Sequence, residues 1–565
     1  MHAARPVAPH PTELISKLCA LGDRGDDLWL CPIPEGHAHA LRIVKIETDD
    51  AAAPLLLWVA AMIEDLGVLR RADALMVCSR QGSDFVRFEG LIAIESITGD
   101  QAVGLRCTAP ERMLGGDGRQ SARIPLGGEF FARAQVTTLE HDRPVAADVG
   151  NLSLGGCLLE IDVQPALLWR IGQPLAEIII VGPHDQRVSA SGEIRHIQIM
   201  NDRPAVQVGV SFARLEFSQR RQLGRMLSDM ERGLALRRGS GGRMLADCAQ
   251  FTEFTGRPTD AGERPRPVAL PMVGALGAVA ANLGKLAIAL RNDRPAPIEA
   301  VATDARTICR LLAEDRQALL YALCCLGEYP LLLQHSIAVA GRLADLVGDT
   351  LAAEPTHIVL AALVHDLGRA VVAGRRLTEA HLFGEHQGGP AQPHVSALLR
   401  VLGPRLPIAI DVRQNVIERI NERLDGSGYP AGYDASALAP LSRAASVVDA
   451  IDMLTRANSQ RDALPPLSAY RQLYEASARY DRQWVTRYVQ RQGPLPVGTL
   501  VRYSGGFLAW IMALDGSGQP TRLRLVRNLS GGQRPVDEIV DKRHIAQLGE
   551  LERTVPARQY GLRPY

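Results

Sequence analysis

Two groups of residues in this chain have types and spacings that could do chemistry. In the first, Arg119 and Arg123 stand four apart ahead of a strand-like run, and Asn151, Ser153 and Gly156 follow at a strand-to-turn junction. Guanidinium forks bind phosphate oxygens bidentately and stack on flat purine faces. Asn and Ser add short polar hooks, and glycine lets backbone come close to a ligand. The set suits a charged, purine-bearing nucleotide; a surface arginine pair beside an ordinary turn is the alternative by residue type alone. In the second group, His335, the pair His365-Asp366, His394 and Asp449 lie far apart in sequence. Such residues at helix ends can converge on one metal, because packed helices bring distant ends together. A lone histidine here is an ordinary core residue. The His-Asp pair, with Gly368 two residues on, is harder to explain as packing.

The elements that must position the first group are strands. Phe130–Val136, Gly156–Ile161, Ala176–Val181, Val188–Ile197 and Ala205–Phe212 have strand character. Glu216–Arg232 reads as a helix with Leu223, Met226, Leu227 and Met230 on one face, a core-packing stripe. Upstream, residues 1–115 read as a β-rich domain, with Leu28–Cys31, Ala40–Ile46 and Arg87–Ile94 as strands and Ala53–Leu66 open between helix and strand. Residues 236–272 are a Gly-, Pro- and Arg-rich linker. The second group needs helices. Residues 273–328 are a helical lead-in, residues 329–490 a helical domain, and residues 491–565 a β-rich tail with turns at Ser504-Gly505-Gly506 and Asp515-Gly516-Ser517-Gly518. The expected class is multidomain α+β: an N-terminal β-domain and a β-barrel, then an all-α domain with a small β-rich tail.

The order Arg119-x-x-x-Arg123, then Asn151-x-Ser153-x-x-Gly156, resembles the signature of PilZ domains, small β-barrels that bind cyclic di-GMP. The resemblance implies that the arginines grip phosphates and guanines while the Asn/Ser/Gly hairpin holds the other side. Many members carry a further arginine where Gly118 stands here, which bears on ligand stoichiometry. A β-domain ahead of the barrel is similar to the flagellar-brake type of receptor, with Thr108–Gly118, Arg112 nearby, as the corresponding linker.

The second group resembles the HD superfamily of metal-dependent phosphohydrolases. Asp425-Gly426-Ser427-Gly428-Tyr429-Pro430 is similar to the motif end of its HD-GYP branch, which hydrolyses cyclic di-GMP. The resemblance makes His335, His365, Asp366 and Asp449 the quartet for one Fe or Mn ion, and His394 a ligand of a second metal. Asp366 and Arg369 take the catalytic positions, with Arg369 in place of a phosphate-binding lysine. Two adjacent histidines normally precede the motif's glutamate; Ile420 and Asn421 stand there instead. Isoleucine cannot ligate and asparagine is a poor substitute, so the second site is expected to be empty or weak. Asp425 reads as a turn residue, and the glycines and Pro430 fix a turn whether or not catalysis survives.

Composition bounds the rest. A length of 565 residues implies about three or four domains. The formal net charge of +1 gives no global pull toward nucleic acid or membrane. Lysine occurs only at Lys17, Lys45, Lys285 and Lys542, so an arginine where relatives use lysine reflects composition. Nine cysteines at no metal or disulfide spacing predict reduced thiols in the cytoplasm. The start lacks an apolar signal core, and Ala51–Met62 and Ile358–Val364 are too short to span a bilayer, so no membrane insertion is expected. Together with the two resemblances, which imply the ligand, these features predict a cytoplasmic cyclic di-GMP effector: the barrel senses the nucleotide, and the helical domain serves as output through a protein partner, self-association or a second nucleotide site. The rival is a one-metal phosphodiesterase controlled by the barrel. A third possibility is a scaffold in which both sites have lapsed.

Overall fold

The computed structural model describes residues 11–23, 28–33, 41–48, 54–60, 74–81, 84–98, 103–114, 124–126, 132–138, 141–182, 185–200, 203–239, 270–372, 393–458, 461–530 and 534–565. Arg119, Arg123 and most of the 236–272 linker lie outside them. The chain divides into two compact units, residues 1–125 with 151–155, and residues 126–150 with 156–565.

The first unit is a sheet with a short helix against its core. Helix α1 (Pro11–Asp23), which sequence patterning did not bring out, buries Leu14, Ile15 and Leu18. Strands β1 (Leu28–Ile33), β2 (Leu41–Glu47), β3 (Leu55–Ala60), β4 (Ala74–Gln81), β5 (Asp84–Leu91), β6 (Ala93–Thr98), β7 (Val103–Cys107) and β8 (Arg112–Leu114) pair in the order β6-β7-β3-β2-β1-β4-β5-β8. The ambiguity over Ala53–Leu66 resolves as strand for β3, because Leu55, Leu57 and Val59 alternate into the core. The single run Arg87–Ile94 is two strands, β5 and β6, separated at Ile92. Arg112, expected in a linker, is paired through its backbone with Glu89 in the β5–β8 ladder. Also within this unit, the two-residue β9 (Ile124–Pro125) pairs with Leu152 and Asn151.

In the second unit, β10 (Arg133–Thr138), β11 (His141–Ser153, residues 141–150 in this unit), β12 (Gly156–Asp162), β13 (Pro174–Val181), β14 (Arg187–Ile199) and β15 (Ala205–Phe212) run in the order β10-β13-β14-β15-β12-β11. A further β10–β11 pairing, Arg133 opposite Asp148 through Val136 opposite Val145, closes the sheet into a barrel. Ala134, Val136, Ile178, Ile180, Val206, Val208 and Val210 point inward on alternate positions. The one-turn α2 (Val163–Ala166) follows β12. Helix α3 (Phe217–Gly239) buries Leu223, Met226, Leu227 and Met230, as the apolar stripe predicts.

The helical region follows as α4 (Pro271–Arg291), α5 (Ile298–Glu314), α6 (Arg316–Cys324), α7 (Leu331–Val347), α8 (Pro355–Val364), α9 (Gly368–Val372), α10 (His394–Leu402), α11 (Pro440–Thr455), α12 (Pro466–Glu475) and α13 (Arg482–Gln492). Helix α4 is, contrary to the reading of apolar runs, long and apolar enough to cross a membrane by length and composition. Its residues Leu276, Val279, Ala280 and Leu283–Leu290 are buried within this unit, which accounts for the hydropathy as core. Helix α5 shows the amphipathic spacing plainly, with Ile298, Val301, Ala302, Ala305, Ile308 and Leu311 buried. Asp315 caps α6 by accepting from the backbone N–H of Gln317 and Ala318. The tail is a sheet of β16 (Leu500–Tyr503), β17 (Phe507–Leu514), β18 (Pro520–Asn528), β19 (Arg534–Asp541) and β20 (Leu551–Thr554), ordered β19-β18-β17-β16-β20.

Candidate functional site

The helices of the bundle bring the second group together. Helix α7 packs on α8 and α11. His335 lies in the second turn of α7, His365 caps α8, and Asp449 faces them from α11. Their ligand atoms lie within 4.8 Å of one another, and all three residues are buried. The His335 and His365 rings are 5.4 Å apart. Asp366 joins this cluster: its carboxylate is 3.8 Å from both His335 Nε2 and His365 Nε2. His394, the first residue of α10, has Nε2 3.4 Å from Asp366 Oδ1. Gly368 makes this approach possible, since a Cβ there would sit 1.9 Å from the His394 carbonyl oxygen. The glycine following the His-Asp pair thus sets how closely α9 meets α10.

Each histidine has a defined second contact. His365 Nδ1 bonds the Ala362 carbonyl at 2.7 Å, so its N–H donates there and Nε2 carries the lone pair. That Nε2 is buried without a hydrogen bond, 3.5 Å from Asp449 Oδ1. His335 meets carboxylates at both nitrogens, Asp452 at 2.8 Å on Nδ1 and Asp449 at 3.0 Å on Nε2. Burial opposes its charge, but the hydrogen bonds and charges of Asp449 and Asp452 prevail and push its pKa up to about 9. A raised folded-state pKa contributes stability that is full below the unfolded value near 6.5 and is lost as pH rises through about 9. Chelator-treated protein is therefore expected to lose urea resistance across that window. A flat urea midpoint between those pH values refutes a charged His335 in the metal-free site.

The carboxylates are tuned in the opposite sense. Burial works against ionisation of Asp366, but Arg369, whose Nε donates to it at 2.8 Å, and the neighbouring histidines hold it well below the usual range. Burial likewise opposes Asp449, but the His335 hydrogen bond and the nearby His365 ring hold it below the usual carboxylate range. Burial makes His394 less basic than a free imidazole, outweighing Asp366. The donor set is two imidazoles and two carboxylates in a buried cluster, chemistry that fits one metal ion.

The motif that follows has other tasks. Ile420 is fully buried core. Asn421 Oδ1 accepts from the Tyr429 hydroxyl at 2.9 Å. Asp425 accepts from Ser427 N–H and hydroxyl, the turn role read from sequence. The residues that sequence reasoning missed are Asp452 and its partners Arg342 and Arg456. Asp452 stands three residues after Asp449, and that spacing was the available signal: it places both carboxylates on one helix face.

The first group is only partly described. In the first unit, Asn151 pairs through its backbone with Pro125, and its Oδ1 is buried without a hydrogen bond. Ser153 is buried beside it in sequence. In the second unit, Gly156 lies against β15: a Cβ would be 2.1 Å from the Val210 carbonyl oxygen. Close approach to a neighbouring strand is therefore a sufficient reason for glycine there.

A family model of the PilZ domain matches residues 117–229, and one of the HD domain matches residues 332–457. The chain carries a PilZ domain followed by an HD domain. Among curated proteins it is 26% identical over 241 residues to the cyclic di-GMP phosphodiesterase PA4108 of Pseudomonas aeruginosa, covering 40% of this chain and 56% of that protein. It is 28% identical over 148 residues to the cyclic di-GMP phosphodiesterase response regulator RpfG of Xanthomonas campestris pv. campestris, covering 26% and 39%. The chain thus spans little more than half the length of the first relative and less of the second. Solved structures similar to it include YcgR of Escherichia coli in complex with c-di-GMP, at 16% identity, TM-score 0.31, 41% of this chain and 94% of that one. Another is Bd1817, an HDG"Y"P protein of Bdellovibrio bacteriovorus, at 13% identity, TM-score 0.31, 59% of this chain and 98% of that one.

Proposed function

We propose that this chain is a cyclic di-GMP-binding signalling effector whose PilZ domain takes the nucleotide and whose HD domain is the output or regulatory module. The observation that carries the reading is the PilZ match over residues 117–229, which contains both halves of the motif, Arg119 and Arg123, then Asn151, Ser153 and Gly156. In this reading the two guanidiniums grip phosphates and guanine faces, and the Asn151 oxygen, buried without a partner, receives a donor from the ligand. Each arginine contributes charge-assisted bonds of about 1.5–3 kcal/mol. Arg119→Ala and Arg123→Ala are each expected to weaken cyclic di-GMP binding by roughly tenfold or more in calorimetric titration of the full chain. Unchanged affinity in both variants overturns the reading.

In the HD domain, His335, His365 and Asp449, with Asp366 beside them, are the residues we assign to one metal ion. An orphaned imidazole nitrogen facing carboxylates supports that assignment. When bound, one ion supplies Lewis-acid polarisation of a phosphoryl oxygen. The chain's part is to hold the imidazoles in fixed tautomers, to exclude water, and to offer Arg369 to an anionic oxygen.

The compact donor cluster also favours a second reading, a one-metal phosphodiesterase governed by the barrel; PA4108 and RpfG carry phosphodiesterase in their names. Metal analysis and product chromatography on one preparation separate the two. Release of linear dinucleotide or GMP, abolished by His365→Ala, establishes the enzyme. Nucleotide binding without turnover establishes the effector.

A further inference from the structure

Among the described residues of the HD domain, three buried side-chain nitrogens have no hydrogen bond: His365 Nε2, His394 Nε2 and Asn421 Nδ2. Buried polar atoms are nearly always satisfied, so such a group points to an absent ion, water or ligand. The two imidazole nitrogens belong to the metal-ligand chemistry described above. The amide is different in kind. Asn421 is 6% exposed, and its Oδ1 is committed to the Tyr429 hydroxyl at 2.9 Å. The amide therefore turns its N–H2 end, a donor with partial positive charge, away from Tyr429. The Tyr429 ring lies edge-on to His394, centroids 5.8 Å apart, and Tyr429 is within electrostatic reach of Arg369, Asp366 and Asp449.

We propose that Asn421 Nδ2 is a donor to a phosphate or phosphodiester oxygen bound beside the histidine–aspartate cluster. An amide N–H2 repels a cation and accepts no metal, but it donates well to an anionic oxygen. Arg369 supports the same sign of ligand: its Nε is spent on Asp366, and its charge remains next to the cluster. Tyr429 is then a positioning residue, because its hydroxyl fixes which end of the amide faces the site. This inference rests on the one-metal reading of the HD domain. It adds that a position unable to hold a second cation instead binds the negative ligand directly.

The test uses the full chain carrying Arg119→Ala and Arg123→Ala, so that the PilZ domain contributes no phosphate binding. The protein is loaded with Mn2+, metal content is quantified, and inorganic phosphate is titrated while manganese broadening of its phosphorus resonance is followed. Asn421→Ala is expected to leave metal content unchanged and to weaken phosphate binding about tenfold or more. Asn421→Asp weakens it further, since a carboxylate repels phosphate, and Tyr429→Phe falls between Asn421→Ala and the parent. Equal phosphate affinity in the parent and Asn421→Ala, as expected if the amide merely binds water, overturns the proposal. So does a gain of metal content in Asn421→Asp without loss of phosphate. If the parent takes up no manganese, the one-metal reading fails separately. Calorimetric phosphate titration of the same variants then decides the role of the amide by the same ordering.

Discussion

Asp452→Ala is expected to destabilise the protein by about 3–5 kcal/mol, the range for breaking a buried charge network by removing one partner. The carboxylate is 1% exposed. It accepts from His335 Nδ1 at 2.8 Å, from Arg342 Nη1 at 2.5 Å, and from Arg456 Nε and Nη2 at 2.9 and 2.8 Å. Burial opposes its charge, and Arg456, His335 and Arg342 together keep it ionised far below the usual range. Alanine leaves two guanidiniums and an imidazole facing one another without the carboxylate that pairs them. Urea unfolding of chelator-treated protein measures the loss. Asp452→Asn keeps an acceptor for one of the three donors and falls between. The same change frees the His335 ring to turn, so metal affinity should fall by about 10–100-fold, the usual effect of removing a carboxylate that orients a ligating histidine. A loss below about 1 kcal/mol in the alanine variant refutes the network account.

The strands of the barrel were legible because their residues alternate. β12, β13, β14 and β15 each fall within two residues of the runs read from sequence. The thirteen-residue β11 was not, because Asp142, Pro144, Asp148 and Gly150 break the β-propensity pattern. Tertiary pairing with β10 overrides that local deficit. Helix α4 was passed over as an apolar run because glycines and Lys285 interrupt it, yet Gly284 is where Val163 of α2 packs closest. In the HD domain the types of the site residues were readable, since His335, His365, Asp366 and Asp449 interrupt otherwise apolar helical runs. Their wiring was not. Asp452 meets Arg342 and His335 only because α7 and α11 cross there, and no spacing within either helix states the crossing.

Glu422→Ala is the second large effect, and it separates a structural glutamate from a ligating one. The residue follows Ile420 and Asn421, and its carboxylate is 1% exposed. Oε1 accepts the backbone N–H of Ala431 at 2.8 Å and of Gly432 at 3.1 Å, and Oε2 accepts that of Tyr433 at 3.1 Å. Gly428 folds so tightly against it that a Cβ would lie 2.4 Å from the Glu422 Cα. Both carboxylate oxygens are thus engaged in closing the loop that carries Tyr429. Alanine leaves three backbone donors without their acceptor, at about 1–3 kcal/mol for each that stays buried. Ala431, Gly432 and Tyr433 are exposed residues, so water can replace part of what the carboxylate supplies. The expected net loss is therefore about 2–4 kcal/mol, with faster amide exchange at residues 431–433. Glu422→Gln retains one carbonyl acceptor and loses less. Metal content should be unchanged in both variants once they are saturated under folding conditions. A fall in metal content with unchanged urea resistance would make Glu422 a ligand, and the loop's closure would then need another cause.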